Sequence, residues 1–190
     1  MSISWITLYP QWYVEEREML SRQYPQFQVH EKLLASKGQL SYYGELFVRP
    51  PGGTIRYPVI LNYPEGGPFE LPSVTPVESL PKFNPDGSLK ENLIPKVLDH
   101  RHQMPDGSLC LFQRETRGIQ GGEGLRGVDI LRRAEQWLLG HHTDHWPPDC
   151  AESELEAHFR YSGDILLSKS FFSSELKGCG RFFMVRDLRR

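Results

Sequence analysis

Residues 78–109 constrain this 190-residue chain most, because they resist every regular pattern. They are rich in proline, glycine and polar residues and show neither the helical nor the strand period of apolar positions. Irregular segments this long inside a compact domain are usually functional or disordered. This one ends on Met104-Pro105-Asp106-Gly107-Ser108-Leu109-Cys110-Leu111. Pro-Asp-Gly is turn chemistry: proline presets φ, aspartate caps the turn and glycine supplies a positive φ. A cysteine shortly after that glycine, between Leu109 and Leu111, is half anchored and half presented. Two readings of Cys110 stay open at this point. It is a small buried hydrophobe, as most free cysteines are, or it is a presented nucleophile.

The flanking sequence supplies the regular elements. Pro10 stands where a helix can begin. Beyond it Trp12, Tyr13, Met19, Leu20 and Tyr24 fall on one side, with Glu15, Glu16, Arg17 and Glu18 on the other. Tyr24-Pro25 ends that helix. Residues 28–34 and 39–48 read as strands, Pro50-Pro51-Gly52-Gly53 as a turn, and 55–62 as a returning strand. A short fourth strand, 69–77, completes a meander. Helical signal returns with Val128, Ile130, Leu131, Ala134, Trp137 and Leu138, and Asp149 with Glu152 forms a capping box for a further helix. The tail beyond Ile165 is apolar in patches. No internal repeat stands out. The order predicts an α+β fold: N-terminal helix, four-stranded antiparallel meander, long irregular segment, C-terminal helices. The domain is expected over residues 1–162, with a C-terminal extension over 163–190.

Charge and cysteine content narrow the class. The formal net charge is −2, which gives no basic surface for nucleic acid or an anionic membrane. Cys110, Cys150 and Cys179 are odd in number and widely spaced, so they form no disulfide framework and fit a reducing compartment. No window approaches the length of a bilayer span, and the first residues lack a signal peptide's basic and apolar regions. A cytoplasmic location is expected, with protein or small-molecule partners.

Around Cys110 the residues resemble the ubiquitin-conjugating (E2-like, UBC-fold) family. That family joins a helix, a four-stranded meander and a Tyr-Pro turn to an irregular segment. The segment carries His-Pro-Asn, a glycine and an Ile/Leu-Cys-Leu nucleophile. Here Tyr63-Pro64 with Pro68 matches the turn, His100 lies ten residues before Cys110 and Gly107 three before it, and Leu109-Cys110-Leu111 matches the triplet. The resemblance covers residues 10–160. Arg101 and His102 replace the triplet's proline and asparagine, and the usual tryptophan after the cysteine is absent, with 118–127 glycine-rich instead. These departures, with Trp137-Leu138-Leu139 and Trp146-Pro147, resemble the bacterial branch encoded in ubiquitin-like modification operons, antiphage operons included.

The resemblance implies a thioester relay. An E1-like activating protein passes a ubiquitin-like protein to Cys110, which transfers it to an amine of a target protein; no cofactor or metal is implied. Aminolysis places negative charge on the thioester oxygen. His102, at the asparagine's position, is either its hydrogen-bond donor or a brace for the loop. His100 matches a structural histidine. The resemblance also implies that the first helix recruits the E1-like protein, through a charged face with Glu15, Glu16 and Arg17. Asp144, within a cluster with His141, His142 and His145, either orients the incoming amine or belongs to a solvated helix end. Two rivals remain: a UBC-like binding module without catalysis, and a zinc protein drawing on His100, His102, Cys110, His141, His142, His145 and Cys150.

Overall fold

The computed structural model describes residues 5–65, 68, 70–98, 103–104, 106–112 and 125–145, all within one compact unit, Met1–His158. His100, His102, the Asp149/Glu152 capping box, Cys150, Cys179 and the expected boundary at 162/163 lie outside these residues.

A single turn, α1 (Trp5–Leu8), leads into α2 (Pro10–Gln23), with proline in the first turn. Leu20 and Tyr24 are buried and Trp12, Tyr13 and Met19 are half-buried, as the apolar stripe predicts. The helix stops at Tyr24, whose N–H closes on Leu20 O before Pro25.

The next segment departs from expectation. Strand β1 is only Gln28–Val29, and Glu31–Lys37 is a helix, α3, not the end of a longer strand. Glu31-Lys32-Leu33-Leu34-Ala35-Ser36-Lys37 is composed largely of good helix formers, with the acid in the first turn and the base in the last. Gly38 terminates it in the left-handed region, at φ 65°. Two adjacent leucines fit either period, and the cap decides between them.

Strands β2 (Ser41–Val48), β3 (Ile55–Asn62) and β4 (Ser73–Pro76) complete an antiparallel sheet in the order β1-β2-β3-β4. The meander is therefore as expected, with β4 shorter than 69–77 because Pro72 and Pro76 cannot donate to a ladder. Helix α4 (Gly127–Thr143) lays Val128, Ile130, Leu131, Ala134, Trp137 and Leu138 into the core shared with α2 and the sheet.

A short repetition organises the aperiodic stretch. Asn84-Pro85-Asp86-Gly87-Ser88-Leu89 recurs as Met104-Pro105-Asp106-Gly107-Ser108-Leu109. The two copies make the same bonds. Gly87 N donates to Asn84 O and Gly107 N to Met104 O; Asn84 N donates to Ser88 O and Met104 N to Ser108 O. Asp86 and Asp106 each accept from the serine two residues on. Bridges Phe83↔Leu89 and Gln103↔Leu109 close the two hairpins.

Candidate functional site

The second hairpin delivers Cys110. Gln103 staples its base: its amide donates to Lys96 O at 2.7 Å and Gly107 O at 2.9 Å, while its carbonyl accepts Leu98 N–H at 2.8 Å. Gly107, at φ 85°, packs against Pro95, where a Cβ would lie 2.5 Å from the proline ring. Leu109 N–H then bonds Val74 O at 2.8 Å, fastening the hairpin to the outer edge of β4. Leu109 and Leu111 are both buried, and Cys110 between them is half-buried. Alternation along an extended chain produces this outcome: two side chains go into the core and the one between them turns outward.

Helix α4 secures the other flank. Arg133 Nε donates to Leu111 O at 3.1 Å, and its guanidinium lies 5.8 Å from the centre of the Phe112 ring. The Cys110 Sγ is 4.0 Å from Phe112 O. The thiol thus sits on a strand-like turn gripped by β4 on one side and α4 on the other.

The other expected site residues are placed differently. Asp144 caps the C-terminus of α4 in the left-handed region, at φ 55°, and is exposed. It lies eleven residues past Arg133, about 16 Å further along a helix axis. The neighbouring histidines take separate partners. His142 Nε2 meets the Tyr57 hydroxyl at 2.5 Å, His141 stacks on Trp137 at 6.1 Å, and His145 Nδ1 turns back to Thr143 O at 2.7 Å. Burial, with His142 and Lys96 nearby, holds His141 below the usual imidazole pKa. Among the described residues no group of three His, Cys, Asp or Glu side chains is arranged to hold a metal ion.

Known proteins add nothing to this geometry. No family model matches the chain, no curated protein matches it, and no solved structure matches it.

A polar node that the order of residues conceals lies beneath α2. Glu16, expected on the charged face, is fully buried. Its Oε1 accepts from the Tyr63 hydroxyl and, at 2.5 Å, from Gly127 N–H at the start of α4. Arg126 reaches Glu15 at 2.7 Å and Glu16 at 3.7 Å, donates to Trp12 O and lies over the Trp12 ring. Glu16 therefore caps α4 from another helix, satisfying a first-turn N–H that the N-terminal residue Arg126 leaves without a side-chain cap. Gly127 is required there, because a Cβ would strike Tyr63, Glu16 and Leu61. Burial raises the Glu16 pKa against the lowering pull of Tyr63, Gly127 and Arg126. Nothing in Glu15-Glu16-Arg17-Glu18 distinguishes the buried acid from its exposed neighbours. Only the helical phase shared with Leu20, four residues on, carries that signal.

Proposed function

We propose that this chain is a UBC-like carrier that accepts a ubiquitin-like protein on Cys110 and passes it to an amine of a target protein. The observation that carries the reading is the presentation of Cys110. Its thiol stands half-exposed between two buried leucines, fastened to β4 and α4 of a helix, four-strand meander, helix frame. The family resemblance of His100, Gly107 and Leu109-Cys110-Leu111 supports it.

The relay has two acyl transfers. The Cys110 thiolate attacks the thioester carbonyl held by the E1-like protein, forms a new C–S bond, and expels the donor's thiolate. An amine then attacks the Cys110 thioester. The C–N bond forms, the Cys110 thiolate leaves, and the amine's proton passes to solvent or a base. Sulfur serves both steps because it is nucleophilic going in and a good leaving group coming out. Arg133, by holding Leu111 and Phe112, limits the positions the thiol can take, which is how orientation lowers a barrier. His102 is assigned as hydrogen-bond donor to the oxyanion, on the resemblance alone.

The test is thioester trapping with an E1-like protein, a ubiquitin-like protein and ATP. A reductant-sensitive adduct on the wild type, absent from Cys110→Ala, is expected. Cys110→Ser should replace it with a reductant-resistant oxyester. A reducible adduct that survives in Cys110→Ala, or that disappears in Cys150→Ala, sinks the assignment.

A further inference from the structure

A cleft of about 430 Å³ opens between α2 and the β1 edge of the sheet, with Arg17 and Leu20 on the helix side and Val29 and Tyr42 below. Tyr42 is 3% exposed, yet among the described residues its hydroxyl has no hydrogen-bond partner. Besides burial, the groups that act on it electrostatically are Tyr13 and Glu16 on the core side and then Arg17 and Glu31, the two charged residues of the cleft. Burial raises its pKa above the ordinary phenol value, so it remains a donor. Buried hydroxyls are normally satisfied, and the residue that carries this one lines the cleft.

The strand beside it is unfinished as well. His30 N–H bonds Ser41 O, and β1 pairs Gln28 with Tyr43 and Val29 with Tyr42. Antiparallel pairs alternate between bonded and non-bonded. Val29 therefore turns its N–H and C=O away from β2, towards the open edge of the sheet, and among the described residues neither has a partner. Arg17 and Glu31 pair across the cleft at 3.8 Å, with side chains 50% and 69% exposed. An ion pair this exposed opens at little cost and offers one charge of each sign.

We propose that this cleft binds a short extended segment of a partner protein, which takes a backbone bond on Val29 and places an acceptor side chain on the Tyr42 hydroxyl. An open backbone pair recognises a strand, while a pocket beside it selects the side chain, the logic of strand addition to a sheet edge. The site is separate from Cys110 and does not depend on the carrier reading.

The experiment uses the full chain against a displayed library of random heptapeptides, with selected clones titrated by fluorescence anisotropy. Enrichment of clones bearing Asp, Glu, Asn or Gln at one position is expected. Their affinity should fall at least tenfold on Tyr42→Phe and on Arg17→Glu, and stay unchanged on Arg56→Ala, which lies outside the cleft. N-methylation of the peptide nitrogen that bonds Val29 should cost a similar factor. Tyr42→Phe removes no hydrogen bond, so the variant keeps its fold; a melting temperature at or above wild type checks this. Failure to select any clone, or equal binding by Tyr42→Phe, overturns the proposal and leaves a hydrated hydroxyl. Self-association of the wild type that Tyr42→Phe abolishes also overturns it, in favour of a second copy of the chain.

Discussion

Gly87 and Gly107 occupy the same place in two copies of one turn, with φ 77° and 85°. A left-handed φ costs a residue with a Cβ about 1–2 kcal/mol, so both Gly→Ala changes destabilise. The surroundings separate them. A Cβ at Gly87 would meet Lys32 at an ordinary 3.4 Å, whereas one at Gly107 would press on Pro95 at 2.5 Å. Urea denaturation should show Gly107→Ala costing the larger amount, by at least about 1 kcal/mol beyond strain alone. Gly107→Ala should also slow loading of Cys110, since the displaced hairpin carries the thiol; Gly87→Ala should leave loading unchanged. For His102 the resemblance makes a sharper statement. His102→Ala should load Cys110 normally but discharge it to an amine about 10²–10³ more slowly, the range for removing one preorganised donor. His102→Asn should restore part of that rate. Single-turnover discharge of preloaded protein decides the matter, and normal discharge by His102→Ala removes the residue from the mechanism.

Helices α2 and α4 are joined through a carboxylate rather than through apolar contact alone. Replacing Glu16 by leucine strips Tyr63 and Gly127 N of their acceptor, while Arg126 keeps Glu15 and Trp12. Leaving a buried donor unsatisfied costs about 1–3 kcal/mol, and Glu16→Leu leaves two, so it should be strongly destabilising. Glu16→Gln keeps an oxygen at the cap and should cost less. The two differ in pH dependence. The folded state raises the Glu16 pKa above its ordinary value of 4.5. The native chain therefore holds its proton to higher pH than the unfolded one. The resulting stability is fully present below about 4.5 and is lost as pH rises through the folded value. Wild-type stability minus that of Glu16→Gln should decline across that window and then level off. A flat difference would mean the carboxyl is not desolvated.

At the scale of the whole molecule, the charged surface of α2 is narrower than its sequence implies. Glu16 belongs to the core, Glu15 to the Arg126 pair and Arg17 to the exposed pair with Glu31, so among the described residues Glu18 and Arg22 are the charges of α2 outside any ion pair. If α2 recruits the E1-like protein, Glu18→Lys should slow thioester loading. Its stability should stay within about 0.5 kcal/mol of wild type, as for most exposed substitutions. Glu15→Lys should do both, slowing loading and lowering the melting temperature. Loading kinetics untouched by either change would place recruitment elsewhere. Among the described residues no helix is long and apolar enough to cross a membrane.

The twin turns mark where the sequence stops determining this protein. In Asp-Gly-Ser-Leu the aspartate caps the turn and bonds spanning four residues close the hairpin, so identical residues make identical bonds after Asn84 and after Met104. Local chemistry likewise determines the ends of α2, the stripe of α4 and the strands β2 and β3 with their glycine turn. The environment beyond each turn is decided at a distance. Leu89 remains 37% exposed, whereas Leu109 is buried because its N–H reaches Val74 across the sheet. That single attachment makes the residue after one copy, Lys90, a surface cation and the residue after the other, Cys110, a thiol held between β4 and α4. Glu16 obeys the same rule. Four charged residues in a row look alike until Tyr63 and Gly127, far along the chain, supply the donors that make one of them a core residue. Periodicity and turn chemistry act over a few bonds and can be read from residues in order. Burial of a polar group depends on partners that only the folded chain brings together.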